Sequence, residues 1–310
     1  MPIEQIAPRL ERILDLDQEV EWLASGFGGD GSALGVPWWP AEGPVWWADP
    51  SDSNGGYLLF SDIGQNRRMR YNDADGLSIF HTETNEANGL TRDPQGRLLA
   101  CEHAARRVTR RESDDSITVV ADSYQGKRLN RPNDLVVKSD GAIYFTDPYR
   151  DTYPGMELGY AGVYRVSPDL SDITLLVDDY VGPNGLCFSP GESILYINDS
   201  RVGLIKAWDV RPDGGIENGR LFCVVNDERG GVPDGMKCDL EGNLYSTGPG
   251  GVWIISPDGR HLGTIALGEG RRATNVGFGG GDWRTLYITT FHELCRVRVN
   301  IPGVPVPRII

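Results

Sequence analysis

The chain has 310 residues, of which 39% are hydrophobic, and this apolar content excludes both a disordered chain and a small disulfide-held domain. Its 44 acidic residues outnumber the 30 basic ones, which gives a net charge of −14 and makes nucleic acid a poor partner. Glycine occurs 40 times, singly or in pairs, a distribution that is typical of many tight turns between short strands.

The N-terminal part of the chain predicts one strand and one long loop. Residues 1–10 lack the apolar core of a signal peptide and no later stretch approaches about 18 apolar residues, so we expect a soluble, cytoplasmic protein without a membrane partner. Residues 20–24 precede Glu42 much as Ile117–Ala121 precedes Asn133, which predicts a strand. Residues 26–40 predict a loop over one face, which either shapes a pocket or is a surface insertion without function.

From residue 42 onward one pattern returns six times: a polar residue, a small residue, an apolar strand, a turn and a second apolar strand. The leading polar residues follow one another at intervals of 41 to 51 residues: Glu42, Asn88, Asn133, Asn184, Asp234 and Asn275. Periods of about 40 to 50 residues indicate a β-propeller with four strands per blade. The sequence therefore predicts an all-β, six-bladed propeller in one domain, 1–310, with residues 1–41 as closing strand and loop.

Each copy of the pattern contains hairpin turns. A second hairpin follows in most copies, with its turn at residues 72–76, 113–116, 168–170, 212–215 and 257–259. The sixth copy has room for only three strands before a proline-rich tail, residues 301–310. We expect residues 20–24 to supply its outer strand, because closing the ring removes an open strand edge.

In a propeller the first strands line the central channel, so the six leading residues should form a ring at one mouth. The second strands return to that mouth with four carboxylates: Asp62, Glu102, Asp147 and Asp199. Carboxylate and amide oxygens without thiolate or imidazole suit a hard divalent cation. Tight turns alone also favour Asn and Asp, but six polar residues in register argue for a site. The cysteines are odd in number and lack C-x-x-C spacing, which predicts buried free thiols.

Five motifs resemble the SMP-30/gluconolactonase/luciferin-regenerating family of six-bladed propellers. In chain order they are Glu42-Gly43-Pro44-Val45-Trp46, Arg131-Pro132-Asn133-Asp134, Pro183-Asn184-Gly185-Leu186, Pro233-Asp234-Gly235-Met236 and Thr274-Asn275-Val276-Gly277-Phe278-Gly279-Gly280. They stand in the family's order at blade spacing, and the resemblance extends over roughly residues 20–299. Two segments, 130–134 and 145–149, look like the bacterial lactonase branch. The resemblance implies a gluconolactonase-like hydrolase with a small-molecule lactone as substrate.

The resemblance also implies roles for individual residues. It implies that Ca²⁺, or in its place Zn²⁺, Mg²⁺ or Mn²⁺, is held by four ligands: Glu42, Asn133, Asn184 and Asp234. It further implies that Arg131 binds substrate and that Asp234 is the general base. The composition of the mouth adds further candidates for substrate contact: Asn88, Glu102, His103 and Asp147. Either Trp38 or Trp39 would cover a bound sugar. The insertion at residues 26–40 departs from the family pattern.

The predicted reaction is hydrolysis of a sugar lactone to the aldonic acid, in which the cation polarises the carbonyl group and Asp234 directs water onto its carbon. Should Asp234 not be the base, the next candidates are the other mouth carboxylates: Glu102, Asp147 and Asp199. A serine nucleophile is not expected, because the G-x-S-x-G motif is absent. The alternative functions are a phosphotriesterase-like hydrolase on the same metal site, a non-catalytic propeller that binds peptides or proteins, and a calcium-dependent regulatory protein.

Overall fold

The computed structural model describes residues 2–29, 39–49, 55–152 and 155–308. The described part begins with three short elements: strand β1 (Ile3–Gln5), a 3₁₀ helix (Pro8–Arg12) and strand β2 (Glu21–Ser25). Six antiparallel sheets follow around a central channel, and they form the predicted six-bladed β-propeller. In the described ranges no helix has the length and apolar character that crossing a membrane requires.

Blades one to four each contain four strands, which run in chain order from the channel to the periphery. Blade one consists of β3 (Ala41–Ala48), β4 (Gly56–Asp62), β5 (Arg67–Asn72) and β6 (Gly76–Thr82). Blade two consists of β7 (Ala87–Arg92), β8 (Leu98–Glu102), β9 (Arg107–Arg111) and β10 (Ile117–Ala121). A small hairpin of β11 (Ser123–Tyr124) and β12 (Lys127–Arg128) leads to blade three, which consists of β13 (Leu135–Val137), β14 (Ile143–Asp147), β15 (Gly162–Val166) and β16 (Ile173–Val177).

The remaining blades complete the ring. Blade four consists of β17 (Pro183–Phe188), β18 (Ile194–Asp199), β19 (Leu204–Val210) and β20 (Ile216–Val224). Blade five contains β21 (Met236–Cys238), β22 (Leu244–Gly248), β23 (Gly251–Ile255) and β24 (His261–Ala266). Blade six contains β25 (Ala273–Gly279), β26 (Thr285–Thr290) and β27 (Glu293–Arg298). The predicted hairpin turns fall between the third and fourth strands of blades one to five.

Both N-terminal strands add to the last two blades. Strand β2 pairs antiparallel with β27, with Trp22 opposite Cys295, and supplies the fourth strand of blade six. The predicted closing strand is thus confirmed, one residue further along the chain than expected. Strand β1 was not predicted: it pairs with β24, with Ile3 opposite Ile265, and gives blade five a fifth strand.

The core consists of apolar clusters between neighbouring blades. The cluster between blades five and six also takes in the 3₁₀ helix and its end, where Leu10, Ile13 and Leu14 are fully buried. The N-terminal segment therefore contributes apolar surface as well as strand edges. All five cysteines are buried free thiols, as predicted.

The segment after β27 lies across the far end of the channel. Val304 N–H donates to the carbonyl oxygen of Cys238 at 3.0 Å, and Leu240 N–H donates to that of Pro302 at 2.8 Å. Residues 304–308 line a cavity of about 60 Å³ together with first-strand residues of blades two to five. The tail thus covers the end of the channel that lies opposite the leading residues.

Candidate active site

The candidate site lies at the mouth where the first strand of every blade begins. Each leading residue stands within two positions of the start of a first strand: Glu42, Asn88, Asn133, Asn184, Asp234 and Asn275. In blades one, two and four the strand ladder is interrupted by a bulge at the leading residue. Such bulges re-aim side chains at the rims of closed sheets. The second strands end at the same mouth, since Ala41 pairs with Asp62 and Ala87 pairs with Glu102.

Glycines let the leading residues of neighbouring blades approach one another closely. A glycine follows four of the six leading residues: Gly43, Gly89, Gly185 and Gly235. A Cβ atom at Gly235 would overlap the side-chain amide of Asn275, and one at Gly185 would overlap the carbonyl oxygen of Asp234. Gly235 N–H also donates to the carbonyl oxygen of Thr274 at 2.8 Å. The Asn-Gly and Asp-Gly motifs are therefore required by the space between blades.

Side chains of the second strands hold the leading residues of the next blade. Ser61 Oγ donates to the carbonyl oxygen of Asn88 at 2.7 Å, and Thr146 Oγ1 donates to that of Asn184 at 2.7 Å. The sequence reasoning missed these donors. A sequence pattern marks these donors: each is a polar residue directly before the carboxylate that ends the second strand, as in Ser61-Asp62, Thr146-Asp147 and Asn198-Asp199.

The leading side chains form a hydrogen-bonded arc. Asn88 Nδ2 donates to Asn133 Oδ1 at 2.8 Å, and Asn133 Nδ2 donates to Asn184 Oδ1. The Asn184 side chain forms a hydrogen bond with the carboxyl group of Asp234. The negative charge of Glu42 raises the pKa of the same carboxyl group. The structure therefore brings the four predicted metal ligands together at the mouth.

Buried carboxyl groups dominate the electrostatics of the ring. Burial raises the pKa of Asp234 well above its usual range, and the charges of Glu42 and Asp134 raise it further. Burial likewise raises the pKa of Glu42, against the effect of Asn275 Nδ2, which donates to Glu42 Oε2 at 2.8 Å. The ammonium group of Lys237 stabilises the charged forms of Glu42 and Asp134. The charge of Arg150 likewise stabilises the charged form of Asp234, and a bound divalent cation would stabilise the charged forms of these carboxyl groups further.

This donor set fits a hard divalent cation. Carboxylate and amide oxygens are the ligands that Ca²⁺ prefers in proteins. Among the described residues no group of three His, Cys, Asp or Glu side chains is arranged to hold a metal ion. A cation bound between Glu42 and Asp234 would therefore depend on the amide oxygens of Asn133 and Asn184 as well. The carboxyl groups of the ring favour such a cation over an anion.

Two of the mouth carboxylates hold loops. Asp147 is fully buried, and its oxygens accept the backbone N–H of Asn130 at 2.8 Å and that of Arg131 at 2.7 Å. Burial raises the pKa of Asp147 to about 7, whereas these two donors act to lower it. Asp199 accepts the backbone N–H of Val181 at 2.8 Å. Both side chains thus fix the segment that precedes the leading residue of their own blade.

The other two mouth carboxylates are bonded in a similar way. Glu102 accepts hydrogen bonds from Arg107 Nε at 2.7 Å and from Thr109 Oγ1 at 2.8 Å. Asp62 accepts the backbone N–H of Gly28 at 2.8 Å, which ties the start of the long N-terminal loop to blade one. All four carboxylates are therefore at the mouth, as the sequence indicates, and each is engaged by neighbouring donors.

The side of the mouth formed by blade two carries the other candidates for substrate contact. His103 is buried, and its Nε2 lies 3.3 Å from Asn88 Nδ2. Burial and the charge of Arg131 lower the pKa of His103 to about 3, so the imidazole is neutral. The rings of Trp39 and His103 lie 5.2 Å apart. The long loop therefore reaches the mouth through Trp39, whereas Trp38 lies outside the described residues.

Comparisons with known proteins agree with this architecture. The family model described as "SMP-30/Gluconolactonase/LRE-like region" matches residues 40–292. The chain is 34% identical to the gluconolactonase of Zymomonas mobilis subsp. mobilis, over 97% of this chain and 87% of that relative. A gluconolactonase structure from Xanthomonas campestris superposes with a TM-score of 0.82, at 32% identity and with 96% and 95% of the two chains covered.

A more distant structure shares the fold. Regucalcin from Agrobacterium tumefaciens, a calcium-binding protein, superposes with a TM-score of 0.71 at 21% identity and covers 87% of this chain and 93% of its own. The family model covers most of the chain, and the ring of leading residues lies within the matched region. The chain belongs to the SMP-30/gluconolactonase/LRE-like family.

Proposed function

We propose that this protein is a hydrolase that opens a sugar lactone to its aldonic acid, with a divalent cation at the mouth of the propeller. The observation that carries the proposal is the ring of buried and half-buried carboxylate and amide side chains, in a chain that is 34% identical to a gluconolactonase over nearly its whole length. The cation is held by Glu42, Asn133, Asn184 and Asp234. Ca²⁺ is the first candidate, because the donors are all oxygens and a calcium-binding protein shares the fold.

Lactone hydrolysis needs a polarised carbonyl group, a positioned water molecule and stabilisation of the oxyanion. A bound divalent cation supplies the first and the third of these as a Lewis acid. Asp234 orients the attacking water and accepts its proton. This proton passes to the ring oxygen when the bond between that oxygen and the carbonyl carbon breaks. Its position is fixed at a strand start, where the Asp234 N–H donates to Thr247 Oγ1 at 2.8 Å. Arg131 donates to a substrate oxygen from a loop that Asp147 holds in place.

The proposal is tested with a panel of lactones, and hydrolysis of each lactone is measured by the acid that it releases. We expect turnover of aldonolactones, its loss after thorough chelation, and its return when single divalent ions are added back. Asn184→Ala and Glu42→Ala should weaken metal affinity and activity together, because each removes one ligand. Asn300→Ala is the control, since Asn300 is exposed at the other end of the molecule. Lactone turnover that survives chelation would refute the role of the metal.

A further inference from the structure

The loop that precedes Asn88 has an unusual backbone. Three of its residues that are not glycine adopt a left-handed conformation, with φ of +56° at Glu83, +56° at Asn85 and +53° at Glu86. For residues with a Cβ atom this conformation costs free energy. Such strain persists only where surrounding bonds impose it, and it is concentrated at functional sites.

Hydrogen bonds from both sides impose this conformation. Asn66 Oδ1 accepts the backbone N–H of Glu86 at 2.8 Å. Asn85 Nδ2 donates to Glu102 Oε2 at 3.0 Å, and the carbonyl oxygen of Glu86 accepts the N–H of His103 at 3.3 Å. Glu102, a predicted substrate contact, thus holds the strained loop with one of its oxygens. These hydrogen bonds fix the backbone from which the Glu86 side chain extends.

Four buried polar atoms near this loop have no hydrogen-bond partner in the part of the chain that the structure describes: Glu86 Oε2, Asn88 Oδ1, His103 Nδ1 and Trp39 Nε1. The four residues adjoin one another, because His103 contacts both Asn88 and the Trp39 ring and its backbone N–H donates to the carbonyl oxygen of Glu86. Burial raises the pKa of Glu86 and the charge of Arg131 lowers it, so the carboxyl group lies near the candidate substrate-binding arginine. Buried polar groups in folded proteins are nearly always paired, and these four therefore point to a polar ligand.

We propose that Glu86 is a specificity-determining residue for this reaction, and that together with Asn88, His103 and the Trp39 indole it forms a subsite that binds hydroxyl groups of the substrate. The four atoms include two acceptor oxygens and the donor N–H of an indole, and a sugar hydroxyl both donates and accepts. The Trp39 ring offers an apolar face for the C–H groups of the sugar. This inference rests on the proposed lactone hydrolysis and adds the residue that recognises the hydroxyl groups.

Two lactones of the same ring size test the subsite: δ-gluconolactone, which carries hydroxyl groups, and δ-valerolactone, which carries none. We expect the wild-type protein to have a much higher kcat/KM for δ-gluconolactone. Glu86→Gln should lower that kcat/KM by about 10- to 100-fold, as expected for loss of a charged hydrogen-bond partner, and lower the ratio between the two lactones. Glu83→Gln is the matched control, since Glu83 is exposed on the same loop with the same left-handed φ, and it should leave both values unchanged.

Trp39→Phe provides a second variant, because it keeps an aromatic ring and removes the Nε1 donor. It should lower the same ratio, and thermal unfolding checks that each variant is folded. If kcat/KM fell equally for both lactones, or if the ratio between the two kcat/KM values stayed unchanged in both variants, the subsite would be refuted. Wild-type protein that hydrolyses both lactones equally well would overturn the subsite and leave the proposed function standing. Wild-type protein that hydrolyses neither would refute the proposed function itself.

Discussion

The Asp147 carboxylate accepts the backbone N–H of Arg131 at 2.7 Å, so the candidate substrate-binding arginine is positioned by a buried acid from the neighbouring strand. The second oxygen of Asp147 accepts the N–H of Asn130 at 2.8 Å. Arg106 binds a carbonyl group of the same segment: the Arg106 Nε donates to the backbone carbonyl oxygen of Leu129 at 2.7 Å. The loop is therefore fixed through both its backbone N–H groups and its backbone carbonyl groups.

Removing one acceptor from this arrangement should disturb both stability and substrate binding. We expect Asp147→Asn to lower the free energy of unfolding by about 1 to 3 kcal/mol, because an amide nitrogen would face a buried N–H that has lost its acceptor. KM should rise more than kcat falls, since the reacting groups are unchanged. Urea unfolding and steady-state kinetics measure the two effects. Asp178→Asn, at an exposed position of the same blade, is the control. Stability equal to wild type would contradict the assignment.

Asp234→Asn separates the base from the metal ligand. Asparagine keeps an oxygen for the cation but loses the charge and the basicity, so we expect metal to remain bound, with lower affinity. The turnover number should fall by about 10² or more, in line with the contribution of a general base. Metal analysis of the purified variant and kcat at saturating metal provide the measurement. Turnover near the wild-type rate would mean that another group, or the metal-bound water itself, supplies the base.

Arg131→Ala should act on substrate binding alone. The guanidinium group is not among the proposed metal ligands, so metal content should equal that of wild type. Loss of a donor that binds substrate and transition state equally raises KM and leaves kcat in place. Kinetics over a wide range of substrate concentration distinguish the two constants. A parallel fall in kcat would instead assign Arg131 to the stabilisation of the oxyanion.

Much of the fold was predictable because it repeats. A polar residue recurs at every first strand and a glycine follows it in four of the six, and the space between Gly235 and Asn275 shows why the glycine is needed. The closing strand was predictable for the same reason, since the sixth copy of the pattern is one strand short. By contrast, β1 is three residues long, and so short a strand leaves no periodic signal in the sequence.

The residues of the site could be predicted from the sequence, but not all of their hydrogen bonds. The ring positions of Glu42 and Asp234 follow from blade spacing alone. The partners of Asp147 do not, because backbone N–H donors carry no signal in the amino-acid sequence. Glu86 was missed for a related reason: its left-handed φ and unpaired oxygen arise from tertiary contacts, and the sequence shows only one more acidic residue in an acidic chain.

The close contact between blades predicts that one methyl group will disturb the ring. Gly235→Ala should lower the free energy of unfolding by about 1 to 3 kcal/mol, because the new Cβ overlaps the Asn275 side chain. Activity should fall as well, since Asp234 is the adjacent residue. Gly281→Ala is the matched control, because its Cβ would meet no atom within 4 Å. Denaturant unfolding curves of both variants give the two free energies of unfolding. Equal values would show that the blades can move apart at Gly235 without loss of stability.

Two N-terminal deletions distinguish the functions of β1 and β2. Deletion of residues 2–7 removes the added strand of blade five, and we expect soluble protein with a lower melting temperature, because the burial of Ile3 is lost. Deletion of residues 2–25 also removes β2 and the buried side chains of Leu10, Ile13 and Leu14. It exposes the edge of β27 and the apolar surface that these side chains cover, which should produce aggregation. Size-exclusion chromatography and thermal unfolding report the outcome. A soluble, monomeric longer deletion with the wild-type melting temperature would contradict closure by β2.

The pairing of β2 with β27 also sets the order in which the chain can fold. Glu21 lies opposite Arg296, so this contact joins residues 275 positions apart. Contacts of such high sequence separation form slowly, since a long loop must close before they contribute any stability. During synthesis blades one to five can assemble as they emerge, whereas the ring stays open until the last strand leaves the ribosome. The N-terminal strand must remain unpaired for that whole interval, which makes it the segment most exposed to wrong partners in the new chain.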